Sequence, residues 1–205
     1  MKIIRIHYFS ATILTIFIAF HLFNHLMSIF GPEWHIEWMN KFRLVYRNPL
    51  VESMLLIAVI IQIITGLKLF RNKSNMQIPF VDKIQICSGL YLAFFLVIHV
   101  SAVMVGRFIL KLDTNYYFGV AGLNSFPANL FFIPYYSLAM LSFFVHIAAI
   151  HCKKMRSTIL GLSPKVQAMF IFLLGCIFIL TTFYGLTNQF RGVEIPEAYR
   201  VLTGE

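Results

Sequence analysis

The sequence predicts an all-α integral membrane protein built as a bundle of five spanning helices, and three observations lead to that prediction. Hydrophobic residues make up 59% of the 205 residues. Charged residues make up only 12%, about half the share in a typical soluble domain, and the mean hydropathy is +0.78. Five apolar runs are each long enough to cross a bilayer as a helix: residues 8–30, 50–70, 85–110, 129–152 and 166–187. We therefore treat residues 1–205 as a single transmembrane domain.

The first run, residues 8–30, follows Lys2 and Arg5 and in that respect resembles a secretory signal peptide. It lacks a small-residue cleavage site after a short apolar core, and it carries His21 and His25 deep inside. We therefore expect it to be retained as the first spanning helix.

The segment at residues 33–47 has the pattern of a short helix lying in the membrane interface. Pro32 suits the first turn of a helix. Trp34, Trp38 and Phe42 recur every four residues, so they fall on one helical face, and tryptophan favours the depth of the lipid headgroups. The spacing predicts an amphipathic interfacial helix.

The other long connection, residues 111–128, contains Gly119, Gly122 and Pro127 and little charge. It could cap a site between helices or be an ordinary connection, and we favour the ordinary connection.

The basic residues predict the orientation, because cytoplasmic loops carry an excess of Lys and Arg. With the N-terminus in the cytoplasm and the C-terminus outside, ten basic residues face the cytoplasm and seven lie outside. The cytoplasmic set is Lys2, Arg5, Lys68, Arg71, Lys73, Lys83, Lys153, Lys154, Arg156 and Lys165; the other is Lys41, Arg43, Arg47, Arg107, Lys111, Arg191 and Arg200. The net charge of +9 is thus interpreted as loop charge against the bilayer, with no nucleic-acid partner, in the inner membrane of a bacterium.

Histidines within the spans are the main functional candidates, since an ionisable intramembrane side chain is costly and usually faces the bundle interior. Four lie well inside spans: His21, His25, His99 and His146. Counted from the cytoplasmic ends of their runs, His21 and His99 are about 13 and 14 residues deep, which is nearly level at about 1.5 Å per residue. Gln62 and His146 form a second level nearer the cytoplasmic side.

Two neutral imidazoles facing each other at one depth can bind the iron of a haem b. The nearly equal depth of His21 and His99 therefore favours a haem site. Gly106 shares a helical face with His99 and would leave room for a flat ligand. The alternative is that these histidines only hydrogen-bond between helices.

The order of helices and histidines resembles a known family, the single-chain, five-helix cytochrome b membrane anchor of succinate dehydrogenases and fumarate reductases. The strings RIHYFSATILTIFIAFHLFNH, IQICSGLYLAFFLVIHV and YYSLAMLSFFVHIAAIH are similar to its first, third and fourth helices. Its fifth helix carries no ligand, and residues 166–187 contain no histidine. The resemblance covers about residues 5–185, and it implies a divergent member of that family.

The resemblance implies that His21 and His99 are the axial ligands of the outer haem and that His146 is a ligand of an inner haem. The partner of His146 should be a histidine on the second helix, but Gln62, a poor haem ligand, stands there. We therefore expect one haem b rather than two. The family also implies electron transfer between a partner and the quinone pool, with flavoprotein and iron–sulfur subunits; a homodimer is a further option.

A second candidate site lies at the start of the second span, where Glu52 follows Arg43, Tyr46 and Arg47 closely. A carboxylate beside arginines and a tyrosine could bind a quinone head group or relay protons, or the four could form an interfacial ion-pair cluster.

Two further functions stay open. His21 and His25 are four residues apart, which suits a metal site on one helix, so the chain could be a haem-free metal-binding protein or enzyme that uses them with Glu52. It could also be a non-catalytic adaptor subunit that keeps the helical scaffold without a redox centre. No catalytic residue is assigned.

Overall fold

The computed structural model describes residues 2–72 and 78–204, and Lys73 lies outside this part of the chain. The regular structure of the described residues is helical, apart from one isolated bridge between Ile159 and Leu162. The helices are α1 Lys2–Met27, α2 Pro32–Tyr46, α3 Pro49–Arg71, α4 Phe80–Met104, α5 Tyr116–Asn124, α6 Asn129–Lys154, α7 Pro164–Leu186 and α8 Glu197–Arg200. The all-α prediction is confirmed.

Five of these helices are long and apolar enough to cross a membrane, which confirms a multi-pass membrane protein. Two of them are extended by a turn of another helical type: α1 by a 3-10 turn at Ser28–Phe30, and α4 by a π-helical turn at Val105–Ile109. The spans are Lys2–Phe30, Pro49–Arg71, Phe80–Ile109, Asn129–Lys154 and Pro164–Leu186. Each contains most or all of one apolar run of the sequence.

The five spanning helices form a closed ring in the order α1, α3, α4, α6, α7 and back to α1. Their directions follow from side-chain contacts. His7 at the start of α1 lies 2.8 Å from Thr65 near the end of α3, and Asp82 at the start of α4 pairs with Lys153 at the end of α6. We call the end of the ring that holds the start of α1 the N-terminal face, and the other end the opposite face.

The connection at residues 111–128 contains helix α5, so the expectation of an ordinary connection is wrong. Tyr116 and Val120 are each only 1% exposed, and they pack with Phe183 and Leu186 of α7 in the main core cluster. The Asn115 side chain accepts a hydrogen bond from Tyr117 N and so caps the helix. Because Tyr116 and Val120 lie one turn apart on the buried side of α5, this short helix is part of the core at the opposite face.

Helix α2 matches the predicted segment at residues 33–47 to within one residue. Trp34 is 50% exposed, whereas His35 and Met39 on the other side of the helix are 4% exposed each. Gly31, with φ of 116°, allows the chain to fold back between α1 and α2, because such a φ is strained for other residues. The reversal brings the inner side of α2 against α1.

Candidate functional site

The centre of the ring holds two histidines that face each other from α1 and α4. The ring centroids of His21 and His99 are 6.1 Å apart, and their planes meet at 65°. Each imidazole is stacked on a phenylalanine one helical turn earlier, His21 on Phe17 at 5.7 Å and His99 on Phe95 at 5.0 Å. The structure therefore brings together the two residues that the sequence places at one depth.

Two further imidazoles, His25 and His35, lead from His21 towards the opposite face. His21 Nε2 lies 3.2 Å from His25 Nε2, and His25 Nδ1 lies 3.4 Å from Nε2 of His35 on α2. Asn24 Nδ2 lies 3.1 Å from the same His35 nitrogen. The cluster of His99, His21, His25 and His35 therefore draws on three helices.

His35 was not recognised as a site residue from the sequence. The signal that could have found it is the pair His35 and Met39, four residues apart and opposite the tryptophan face of α2. Burial lowers the pKa of His35 to about 3, and nearby His21 and Arg43 add to the effect. The imidazole is therefore neutral at physiological pH, as a histidine that accepts a hydrogen bond or ligates a metal must be.

Two atoms in or beside this cluster, His35 Nδ1 and Asn24 Oδ1, are buried without a hydrogen-bond partner in the described structure. Buried polar groups are nearly always paired, so such atoms mark a place where a ligand or water can bind. Among residues 2–72 and 78–204, no three His, Cys, Asp or Glu side chains are arranged to hold a metal ion by themselves.

A small cavity lies beside His21, between α1 and α2. Its volume is about 10 Å³, and its walls are Phe17, Phe20, His21, Asn24, Phe42 and Tyr46. Next to it, a wider apolar groove of about 370 Å³ is lined by Ala19, Phe20, Phe23, Trp38 and Phe42. Phe20 and Phe42 line both spaces, so the polar cavity adjoins an apolar groove on the flank of the bundle.

Gln62 and His146, the second predicted level, make their hydrogen bonds with different helices. Gln62 Oε1 accepts a hydrogen bond of 2.6 Å from Ser10, and Gln62 Nε2 lies 3.1 Å from His7 Nε2. The structure thus places Gln62 with residues of α1 and gives its amide two partners there.

His146 makes its hydrogen bonds with α4. Its Nδ1 lies 3.0 Å from the Gln85 carbonyl oxygen and 3.1 Å from Ser88 Oγ. A carbonyl oxygen only accepts, so Nδ1 carries the proton and Nε2 keeps its lone pair. The imidazole lies against Gly89, where a methyl group would be 3.1 Å from His146 Cε1.

The predicted group of Glu52, Arg43, Tyr46 and Arg47 is divided in the structure. Glu52 pairs with Arg107 at the end of the α4 span, and Arg43 lies 2.8 Å from Asp113. Arg47 donates to Thr114 at 2.9 Å. Only Tyr46 lines the cavity beside His21.

The pKa values of two side chains at this end, Tyr46 and Arg47, are shifted by their surroundings. Burial raises the pKa of the Tyr46 phenol, and Arg43 and Arg47 partly oppose that rise. Burial lowers the pKa of Arg47, with Arg43 and Arg107 adding to the effect. Arg43, Arg47 and Arg107 therefore form a crowded cationic group at the opposite face, paired with two carboxylates, Glu52 and Asp113.

Gly106 does not leave room for a flat ligand near His99. The Phe118 ring of α5 packs directly against it and occupies the space that a Cβ would take. This expectation failed because α5 itself was not foreseen.

The fold and the site define an all-helical, multi-pass membrane protein with a cluster of four histidines, of which His35 is buried. Comparisons of the chain with protein-family models, with curated proteins and with solved structures found no match.

Proposed function

We propose that the protein is a cytochrome b-like membrane subunit that holds one haem b between His21 and His99 and passes electrons between a partner and a membrane quinone. The observation that carries the proposal is the facing of these two imidazoles, with ring centroids 6.1 Å apart. Metal–imidazole bonds are about 2 Å long, so a separation of this size would allow His21 and His99 to hold one iron between them. Donor type and spacing therefore fit bis-imidazole ligation.

The chain's own residues would orient these ligands. Phe17 and Phe95 hold the two rings by stacking, and the spanning helices around them are apolar. Ligation through His21 Nε2 would replace its contact with His25, which keeps its contact with His35. Bound haem b would supply reversible one-electron transfer at a potential tuned by these surroundings.

The second level supports one haem rather than two. The Gln62 amide is engaged by Ser10 and His7, and an amide is a poor ligand for haem iron. His146 is well oriented by the Gln85 carbonyl, but the residue expected to face it from α3 offers no imidazole.

The groove between α1 and α2 suits a lipid-soluble quinone better than the surroundings of Glu52, since the cavity beside it has room for no more than a water molecule. The Tyr46 phenol lines the cavity and can donate a hydrogen bond to a quinone carbonyl. The groove of about 370 Å³ is within the size range of small-molecule sites, and its aromatic walls suit an isoprenoid tail. Glu52 is instead engaged by Arg107.

The partners follow from the family that the sequence resembles. In this proposal a flavoprotein and an iron–sulfur subunit supply or accept the electrons, and the chain works in the inner membrane of a bacterium, alone or as a homodimer.

One specific observation favours a second candidate, the haem-free adaptor. The contacts of His25 with His35 and of His7 with Gln62 and Thr65 join α1 to α2 and α3, and a purely structural scaffold would use them in the same way. The metal-binding alternative has less support, because Glu52 lies with Arg107 rather than with His21 and His25.

A pyridine haemochrome assay separates the two candidates. The protein is expressed with haem supplied and purified in detergent. A b-type α band at about one haem per chain is expected for the cytochrome. A colourless preparation with full helix content by circular dichroism would favour the adaptor.

A further inference from the structure

Charge is divided unequally between the two faces of the bundle. Of the described residues, the N-terminal face carries nine exposed Lys and Arg side chains and a single carboxylate, Asp82. The opposite face carries seven cations and six carboxylates, namely Glu33, Glu37, Glu52, Asp113, Glu194 and Glu197. The positive charge of the protein is therefore concentrated on the N-terminal face, whereas the opposite face is close to neutral.

The cations of the N-terminal face surround it rather than forming one patch. Every helix of the closed ring contributes at least one of them, and the set, which we call the basic collar, is Lys2, Arg5, Lys68, Arg71, Lys83, Lys153, Lys154, Arg156 and Lys165. Asp82 lies 2.7 Å from Lys153, and one carboxylate cannot balance nine cations.

An aliphatic turn projects beside the collar between α6 and α7. Leu160 is 94% exposed and Ile159 is 48% exposed. Reciprocal backbone hydrogen bonds between Ile159 and Leu162, of 3.2 and 2.9 Å, fix the turn. Arg156 and Lys165 lie on either side of it in the chain. Aliphatic side chains flanked by cations match the boundary between acyl chains and phosphate headgroups.

We propose that the basic collar binds the headgroups of anionic phospholipids in the leaflet that surrounds the N-terminal face. A ring of cations around the bundle faces boundary lipids on every side, whereas a soluble protein would contact one part of it. The attraction is electrostatic, and it favours the negatively charged leaflet. The inference needs no cofactor and is independent of the proposed electron transfer.

The test is lipid selectivity in a bilayer. The full chain is reconstituted in phosphatidylcholine membranes with spin-labelled phosphatidylglycerol or spin-labelled phosphatidylcholine, and electron paramagnetic resonance gives the fraction of each that is held at the protein. We expect phosphatidylglycerol to associate about threefold more strongly or better, and the preference to shrink at high salt because the charges are screened.

Two quadruple variants locate the effect. The collar variant carries Lys68→Gln, Lys83→Gln, Lys154→Gln and Lys165→Gln. Its control removes four exposed cations from the opposite face, with Lys41→Gln, Lys111→Gln, Arg191→Gln and Arg200→Gln. The collar variant should lose most of the preference, and the control should keep it.

Equal association of the two lipids with the unsubstituted protein would overturn the proposal and leave an acidic soluble protein as the occupant to consider. An equal loss in both variants would overturn it as well. Circular dichroism verifies that both variants keep their helix content. The comparison of the two lipids on the unsubstituted protein decides the question even if the collar variant does not fold.

Discussion

His35 Nε2 on α2 lies 3.4 Å from His25 Nδ1 on α1, and this contact joins α2 to the histidines in the centre of the ring. Asn24 adds a second link to the same nitrogen at 3.1 Å. The position of α2, and with it the cavity beside His21, therefore depends on a histidine that stays neutral.

The first prediction concerns pH. The folded-state pKa of His35 is about 3, against about 6.5 for a free histidine. Between about pH 3 and pH 6.5 the unfolded chain therefore binds a proton at His35 that the folded chain does not bind. Stability contributed by neutral His35 is therefore present above about pH 6.5 and is lost as the pH falls below it. At pH 5 the loss from His35 alone is about 2 kcal/mol. Thermal unfolding in detergent at pH 7.5 and 5 measures it.

The matched variant is His35→Gln, which keeps a polar side chain but does not titrate. Its melting temperature should fall less between pH 7.5 and 5 than that of the unsubstituted protein. Equal falls in the two proteins would show that His35 does not carry this pH dependence.

The second prediction concerns the close packing of α7 against the turn after α1. A methyl group on Gly185 would lie 2.7 Å from Ile29 N and 2.8 Å from the Ser28 carbonyl carbon, so the backbone must shift. Gly185→Ala should cost about 1–3 kcal/mol of stability. Gly119→Ala is the control, since a Cβ there meets no atom within 4 Å and alanine favours the helix. A Gly185→Ala protein as stable as the control would contradict this packing.

The third prediction concerns the ion pair of Arg107 and Glu52, whose side chains are 19% and 25% exposed. Each single change, Arg107→Gln or Glu52→Gln, leaves a half-buried partner unpaired and should cost about 1–3 kcal/mol. The double variant should cost less than the two single losses together. The pair of Lys41 and Glu37, 54% and 56% exposed, is the control and should show coupling below about 0.5 kcal/mol. Equal coupling in the two pairs would argue against a shielded Arg107–Glu52 contact.

The fourth prediction concerns where the head group of the proposed quinone binds. In a Trp34→Phe background, Trp38 is the remaining tryptophan and lines the groove, so a short-chain quinone should quench its fluorescence on binding. Tyr46→Phe should raise the Kd about three- to tenfold through the loss of one hydrogen bond, and Glu52→Gln should leave it unchanged. A Kd raised by Glu52→Gln and unchanged by Tyr46→Phe would instead indicate that the head group binds at Glu52.

The spans were predictable because each apolar run is local and long, and the level of His21 and His99 followed from counting residues along two helices. Helix α5 was not predictable, since Gly119 and Gly122 weaken its helical signal and its stability comes from packing against α7. The membership of His35 in the site depends on the chain reversal at Gly31. The partner of Glu52 is Arg107, 55 residues away in the sequence, which no local pattern indicates.

The central claim is that His21 and His99 hold one haem b, and the haem content of matched histidine variants tests it most directly. The unsubstituted protein, expressed with haem supplied, should contain about one haem per chain. His99→Ala should contain none, whereas His146→Ala, which removes a histidine held by the Gln85 carbonyl, should keep it. A haem-free unsubstituted protein, or a haem lost with His146→Ala and retained with His99→Ala, would contradict the account.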